Sequence, residues 1–221
     1  MSPALVFIPL LAIFIGLFVW GIRYSRAKEQ EKLDRLRGAC FTKVVQPTLH
    51  KAMTAKWGSI EPNMFRRNMD GYTLWYLEKP DSDGPSTPFL AIEFGQSMKL
   101  PADAWIMPAF AKEGGFGEKA IGFVARLSGH KHRLPVPGLF ERKWWAFGAS
   151  SAWAPVAPPQ GLWEALGNAS WVSIKFQKEG LRFEAQSDAV TYKAPDLLAV
   201  LDKGFLACTE SVAGAFLRAS S

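Results

Sequence analysis

Cysteine and histidine are scarce in this chain, with two and three residues among 221. Cys40 and Cys208 stand far apart, each without a second thiol at metal-ligand spacing, so the sequence carries neither a disulfide framework nor a CxxC motif. His130 and His132, in "GHKHR", would project to one side of a strand, a geometry that some metal sites use. The third histidine is the distant His50, and Lys131 and Arg133 would repel a cation, so we read a solvated basic loop and no metal. GxSxG, HxxEH-type patterns and a paired Cys and His are missing as well. Acidic residues are scattered beside lysines or in turns, and nothing points to a catalytic carboxylate pair.

Charge is missing altogether from Met1 to Ile22, "MSPALVFIPLLAIFIGLFVWGI". A helix of roughly 20 such residues spans a hydrocarbon core of about 30 Å. Pro9 and Gly16 are tolerable there, and Trp20 and Tyr24 fall where an aromatic belt forms. A cleaved signal peptide would want a basic start, a shorter apolar core and a small-x-small cleavage site. This run has no Lys or Arg before it and is followed by "RYSRAKEQ", so we read 1–22 as a retained transmembrane anchor. Arg23, Arg26, Lys28, Lys32, Arg35 and Arg37 crowd its C-terminal flank. The positive-inside rule then puts the N-terminus outside and the rest in the cytoplasm of a bacterial inner membrane. Against Glu29, Glu31 and Asp34 these six leave an excess of +3, half the chain's net +6, which suits either a topology signal or contact with anionic headgroups. Residues 23–56 read as a basic juxtamembrane helical linker, in which Leu33 and Leu36 mark a short amphipathic helix and Pro47 interrupts or restarts it.

From 57 to 221 the grammar is that of a cytoplasmic α+β domain. "GYTLWYLEKP" and "TPFLAIEFGQ" flank the turn cluster "DSDGPS" and form a hairpin. "KLPADAWIMP" is a Pro-bounded extended segment, and "EKAIGFVARLSG" reads as a further strand. "WVSIKFQKEG" and "LRFEAQS" make a second hairpin, turning at Lys178-Glu179-Gly180. "PPQGLWEALGN" is a short helix stopped by Gly167-Asn168. A closing helix from about Pro195 to Leu217 places Leu197, Leu201, Phe205, Cys208, Val212 and Phe216 on one stripe. This order predicts an antiparallel sheet with helices packed on one face.

Gly115-Phe116-Gly117-Glu118-Lys119-Ala120 matches the GxGxxA dinucleotide pattern in form. That mechanism needs a strand before it and a helix opening at it. Pro108 breaks what precedes, and strand is expected after it, so we read a flexible loop and no cofactor. In "GLFERKWWAFG", strand alternation separates Trp144 from Trp145: one enters the core, and the other lies under a helix or at an interface. Arg142, Trp144, Trp145 and Trp153 are the candidate interaction surface, since Trp beside Arg is the composition of a hot spot. Residues 38–221 carry 20 basic and 17 acidic groups, too even a balance to suggest nucleic acid.

The succession of "GYTLWYLEKP", "TPFLAIEF", "LPADAWIMP" and "FERKWWAFG", then a short helix, a hairpin and a closing amphipathic helix, resembles a loosely defined group of uncharacterised bacterial single-pass membrane proteins with a β-rich cytoplasmic domain. The resemblance implies no activity. The expectation is therefore a non-catalytic accessory subunit that docks another membrane protein. Two alternatives stay open: a sensor domain or enzyme holding a small anionic ligand between the "GGFGEK" and "GHKHR" loops, and an anionic-lipid module using Arg23 to Arg37 with His130, Lys131, His132 and Arg133.

Overall fold

A computed structural model describes residues 4–82, 85–95, 98–101, 103–109, 116–167, 169, 172–177, 180–185 and 198–220, without the side chains of 4–12, 116–118 and 120. The chain divides into two compact units, Met1–Cys40 and Phe41–Ser221. The expected boundary near residue 57 lies well inside the second unit.

The first unit is one unbroken helix, α1 (Ala4–Gly38), about 52 Å long at 1.5 Å per residue. The expected anchor and juxtamembrane helix are thus continuous. Every described side chain from Ile13 to Trp20 is apolar and exposed, and Trp20 stacks on Tyr24 at 5.6 Å. The following turns are tied by ion pairs at helical spacing, Lys32–Glu29 (2.7 Å) and Arg35–Glu31 (2.9 Å) among them. Each such pair stabilises a helix by about 0.2–0.5 kcal/mol. Cys40, at φ 61°, ends the segment in a left-handed turn. Among the described residues no helix is long and apolar enough to cross a membrane; more than half of the run 1–22 lies outside the described side chains.

The second unit is α+β. Its strands are β1 (Thr42–Val44), β2 (Met64–Met69), β3 (Tyr72–Lys79), β4 (Thr87–Phe94), β5 (Ala104–Pro108), β6 (His132–Arg133), β7 (Trp144–Gly148), β8 (Val172–Gln177) and β9 (Gly180–Ala185). They form one nine-stranded sheet in the order β1-β2-β3-β4-β9-β8-β5-β7-β6, with every pairing antiparallel. Both expected hairpins form, β3 with β4 and β8 with β9. Gly180 belongs to the strand rather than the turn; Lys178 and Glu179, like Asp83 and Gly84, lie outside the described residues. β1 and β2 escaped the sequence reading, although Asp70-Gly71 between Met69 and Tyr72, with Gly71 at φ 82°, is a hairpin-turn signal.

The helices of this unit are α2 (Pro47–Trp57), α3 (Phe116–Leu127), α4 (Gln160–Leu166) and α5 (Lys203–Ser220). Pro47 does restart a helix, at the first helical position where its missing N–H costs nothing. The segment expected as a strand over 118–129 is α3 instead. Its Ile121 and Ala125, four residues apart, pack together on the sheet, and helical spacing overrides the β propensity of Ile121, Phe123 and Val124. The expected long closing helix is cut: a 3₁₀ turn over Ala199–Leu201 and an extended Asp202 precede α5. The stripe Leu201, Phe205, Cys208, Val212 and Phe216 is buried as expected, while Pro195 and Leu197 lie outside the described residues.

Helices cover both faces of the sheet rather than one. Strand register puts Trp75, Leu77, Phe89 and Ala91 on a first face, under Met53 and Trp57 of α2. Further along the same face, Trp105, Met107, Trp145 and Phe147 lie under α3. The second face carries Leu90, Ile92, Phe94, Phe176, Leu181 and Phe183, and Phe216 of α5 meets Phe94 at 6.1 Å and Phe176 at 6.0 Å.

Gly180 is held by a close backbone approach. A Cβ there would overlap the Ile92 carbonyl oxygen and come within 2.8 Å of the Trp57 ring. We expect Gly180→Ala to destabilise the fold by about 3 kcal/mol, the upper end for overpacking, because backbone cannot step aside. Gly122→Ala, in open space within α3, should instead stabilise by up to about 1 kcal/mol. Urea unfolding followed by tryptophan fluorescence separates the two; a neutral Gly180→Ala would contradict the close approach.

Candidate functional site

Two of the sequence-predicted segments meet at the β6 edge of the sheet, while Arg23 to Arg37 belong to the first unit. β6 pairs with β7 through His132↔Gly148 and Arg133↔Phe147, which places the "GHKHR" segment beside the "FERKWWAFG" strand. The Arg133 guanidinium lies over Trp145 (5.4 Å) and Phe147 (5.7 Å). Such cation–π contacts contribute about 0.5–1 kcal/mol at exposed sites. Residues 139–143 form a turn rather than strand, with Lys143 N–H donating to the Phe140 carbonyl (2.9 Å) and leaving Arg142 exposed.

Alternation places the two tryptophans as expected, on opposite faces of β7, but neither reaches a surface. Trp145 lies under α3, and Trp144 points the other way, its Nε1 donating to the Gly167 carbonyl at 3.4 Å. Both are 1% exposed, because a strand sandwiched between helices has no solvent face. The interaction surface expected of Trp144 and Trp145 is therefore not built from them. Trp153 is half-buried: its Nε1 donates to the Pro135 carbonyl (2.8 Å), and its ring meets Trp163 and Phe176 edge-on. Arg142 alone of that set is exposed.

His130 and His132 sit in different surroundings. His132 is exposed, as are Lys131 and Arg133. His130 is half-buried with its ring 6.2 Å from Trp105, and burial, then Lys175, lower its pKa below 6.5 against an opposing pull from Asp103. His50 is engaged elsewhere, with the Ile60 carbonyl at 3.0 Å. Among the described residues no group of three potential ligands could hold a metal. The GxGxxA pattern runs into α3, whose length sets its start about 18 Å from the "GHKHR" segment at its other end. Gly114 and Gly115 lie outside the described residues.

No sequence pattern announces the charged row on the first face, between the parts covered by α2 and α3. Glu184 accepts ion pairs from Lys175 (2.9 Å) and Arg182 (2.7 Å). Arg182 lies over Phe89 at 3.8 Å, and Lys175 over Trp105 at 5.3 Å. Burial alone would raise the Glu184 pKa, but Arg182 and Lys175 outweigh it and hold it below its ordinary 4.5. Next to this row a cavity of about 560 Å³ is lined by Leu49, Met53 and Lys56 of α2 with Glu93 and Gln177 of the sheet; Lys56 and the Trp75 indole both contact Glu93.

The exposed apolar residues of α3 also went unread. Phe123, Val124 and Leu127 are 61%, 49% and 72% exposed, on the side away from Ile121 and Ala125. No protein family, curated protein or solved structure matches this chain.

Both pKa shifts make the fold acid-sensitive. Each folded-state pKa lies below the unfolded value, so the unfolded chain binds more protons and stability falls as pH falls. The loss through His130 begins below about 6.5 and the loss through Glu184 below about 4.5. We expect the urea midpoint to decline in two legs on acidification. His130→Gln should remove the upper leg. Glu184→Gln should flatten the lower one and weaken the fold at neutral pH by leaving two cations unpaired. An upper leg that persists in His130→Gln would assign it to another group.

Proposed function

We propose that the protein is a single-pass accessory subunit of a bacterial inner-membrane complex, with its N-terminus outside and its α+β domain docking another membrane protein from the cytoplasm. The observation that carries this is α1. From Ile13 to Trp20 it is apolar and exposed on every side, and it runs unbroken into a stretch rich in Arg and Lys. A helix without a polar side has no stable place in water. With residues 1–12 the uncharged run reaches 22 residues, enough for a hydrocarbon core of about 30 Å. The ion pairs that engage Lys28, Lys32, Arg35 and Arg37 leave Arg23 and Arg26, exposed at the end of the apolar run, as the charges best placed to set orientation.

Purification of the C-terminally tagged full-length protein in mild detergent, followed by mass spectrometry, should recover a membrane protein in stoichiometric amount. Parallel purification of a variant lacking residues 1–40 would assign the contact to helix or domain. Recovery of the full-length protein with no partner would overturn the accessory-subunit reading.

The two thiols give an independent test of orientation. Cys40 is exposed, whereas Cys208 is buried and its pKa is pushed up to about 11. A membrane-impermeant maleimide should label Cys40 in inverted vesicles and not in intact cells, with Cys208 reacting only after denaturation. Labelling of Cys40 in intact cells would reverse the topology.

A further inference from the structure

We infer that α3 is an interfacial helix that rests its outer side on an anionic bilayer surface. This goes beyond the accessory-subunit reading and does not depend on α1 being an anchor. α3 is apolar on two sides. Ile121 and Ala125 face Trp105, Met107, Trp145 and Phe147, while Phe123, Val124 and Leu127 face outward at 49–72% exposure. The same spacing continues in sequence to Ala120 and Phe116. At 100° per residue Lys119 and Arg126 share one flank of the outward stripe, and both are exposed.

Charge identifies the occupant. Residues 116–147 carry six basic groups, Lys119, Arg126, Lys131, Arg133, Arg142 and Lys143, against only Glu118 and Glu141. That is +4 of the chain's net +6, gathered in 32 residues. The antiparallel β6–β7 pairing and the turn over 139–143 bring most of these groups to one sheet edge, where Leu139 is 88% exposed beside them. An apolar stripe bordered by cations of a single sign complements a headgroup layer above acyl chains. A protein occupant would need a matching acidic rim around its own apolar groove, and the test separates that case from a lipid surface.

The test uses the full chain with Cys40→Ser and Phe123→Cys, labelled with an environment-sensitive dye; Cys208 is too buried to compete. It is reconstituted in vesicles of phosphatidylcholine, with or without phosphatidylglycerol, containing acyl chains brominated to quench the dye. We expect strong quenching in the anionic vesicles, little in the neutral ones, and loss of quenching at high salt. A dye at Ala207→Cys, exposed on α5, should stay unquenched throughout. Each basic group near an anionic surface strengthens partitioning about fivefold, so Arg126→Glu, Lys131→Glu and Arg142→Glu together should shift the α3 equilibrium by about a hundredfold or more. A dye at Leu127→Cys provides a second position, should labelling at 123 perturb the helix. Absence of quenching in anionic vesicles at both positions overturns the proposal, as does quenching equal in neutral and anionic vesicles. Quenching or dye burial that appears only on adding a membrane protein overturns it in favour of protein docking. Sedimentation in the same samples at high salt reads α1 separately: retention on vesicles with loss of α3 quenching leaves the anchor standing, and release of the whole chain removes it.

Discussion

The β4–β9 pairing is the seam that makes this domain one sheet. It joins the β1–β4 half to the half containing β5 to β9, and it pairs Glu93 with Gly180 across 87 residues of sequence. Such a contact bears a large loop-closure entropy before it returns any burial. Two features make it hold. Gly180 lets the β9 backbone approach Ile92 and Trp57 more closely than any side chain would allow. The registered pairs Leu90↔Phe183 and Ile92↔Leu181 then bury four large apolar residues under α5 and its flanking turn. Without the seam, each half would expose a long strand edge and half of the second-face core.

The width of that sheet explains its charged row. Nine strands at about 4.8 Å spacing make a sheet about 38 Å across, whereas one helix covers about 10 Å. On the first face α2 lies over β3 and β4, and α3 over β5 and β7. The strands between, β9 and β8, present Arg182, Glu184 and Lys175 there. Charges in so sheltered a place carry a desolvation cost that one ion pair rarely offsets. Here a single carboxylate faces two cations, and each cation also lies on an aromatic ring at the border of a helix-covered cluster. The row therefore ties the two clusters together where, among the described residues, no helix does.

Local features were legible in the sequence and non-local ones were not. The β3–β4 and β8–β9 hairpins and α4 rest on turn chemistry and alternation within 30 residues, and all were readable. β2 is equally readable from Asp70-Gly71, but Arg66, Arg67 and Asn68 break its apolar pattern and disguise it. The burial of Trp144 and Trp145 depends on helices more than 15 residues away, which no inspection of "RKWW" could supply. The pairing of Glu184 with Lys175 and Arg182 needs the β8–β9 register, and Phe89 beneath Arg182 needs the β4–β9 seam. The β6–β7 pairing likewise turned two separate candidate segments into one basic edge.

α3 was misread because its composition serves two environments at once. A helix with one packed side would show polar residues at 123, 124 and 127, and that pattern would have announced it. Gly122 adds to the disguise: nothing lies near its missing Cβ, so no close approach requires it, and it costs the helix about 1 kcal/mol relative to Ala. At twelve residues α3 is also near the length below which isolated helices are marginal. Its order therefore leans on tertiary contact, and only one side has any among the described residues, through Ile121 and Ala125. Covering Phe123, Val124 and Leu127 would remove apolar surface from water and stabilise the helix that displays them. Binding on the outer side and helix formation are in this way one coupled equilibrium, and the weak intrinsic propensity of α3 makes the coupling strong.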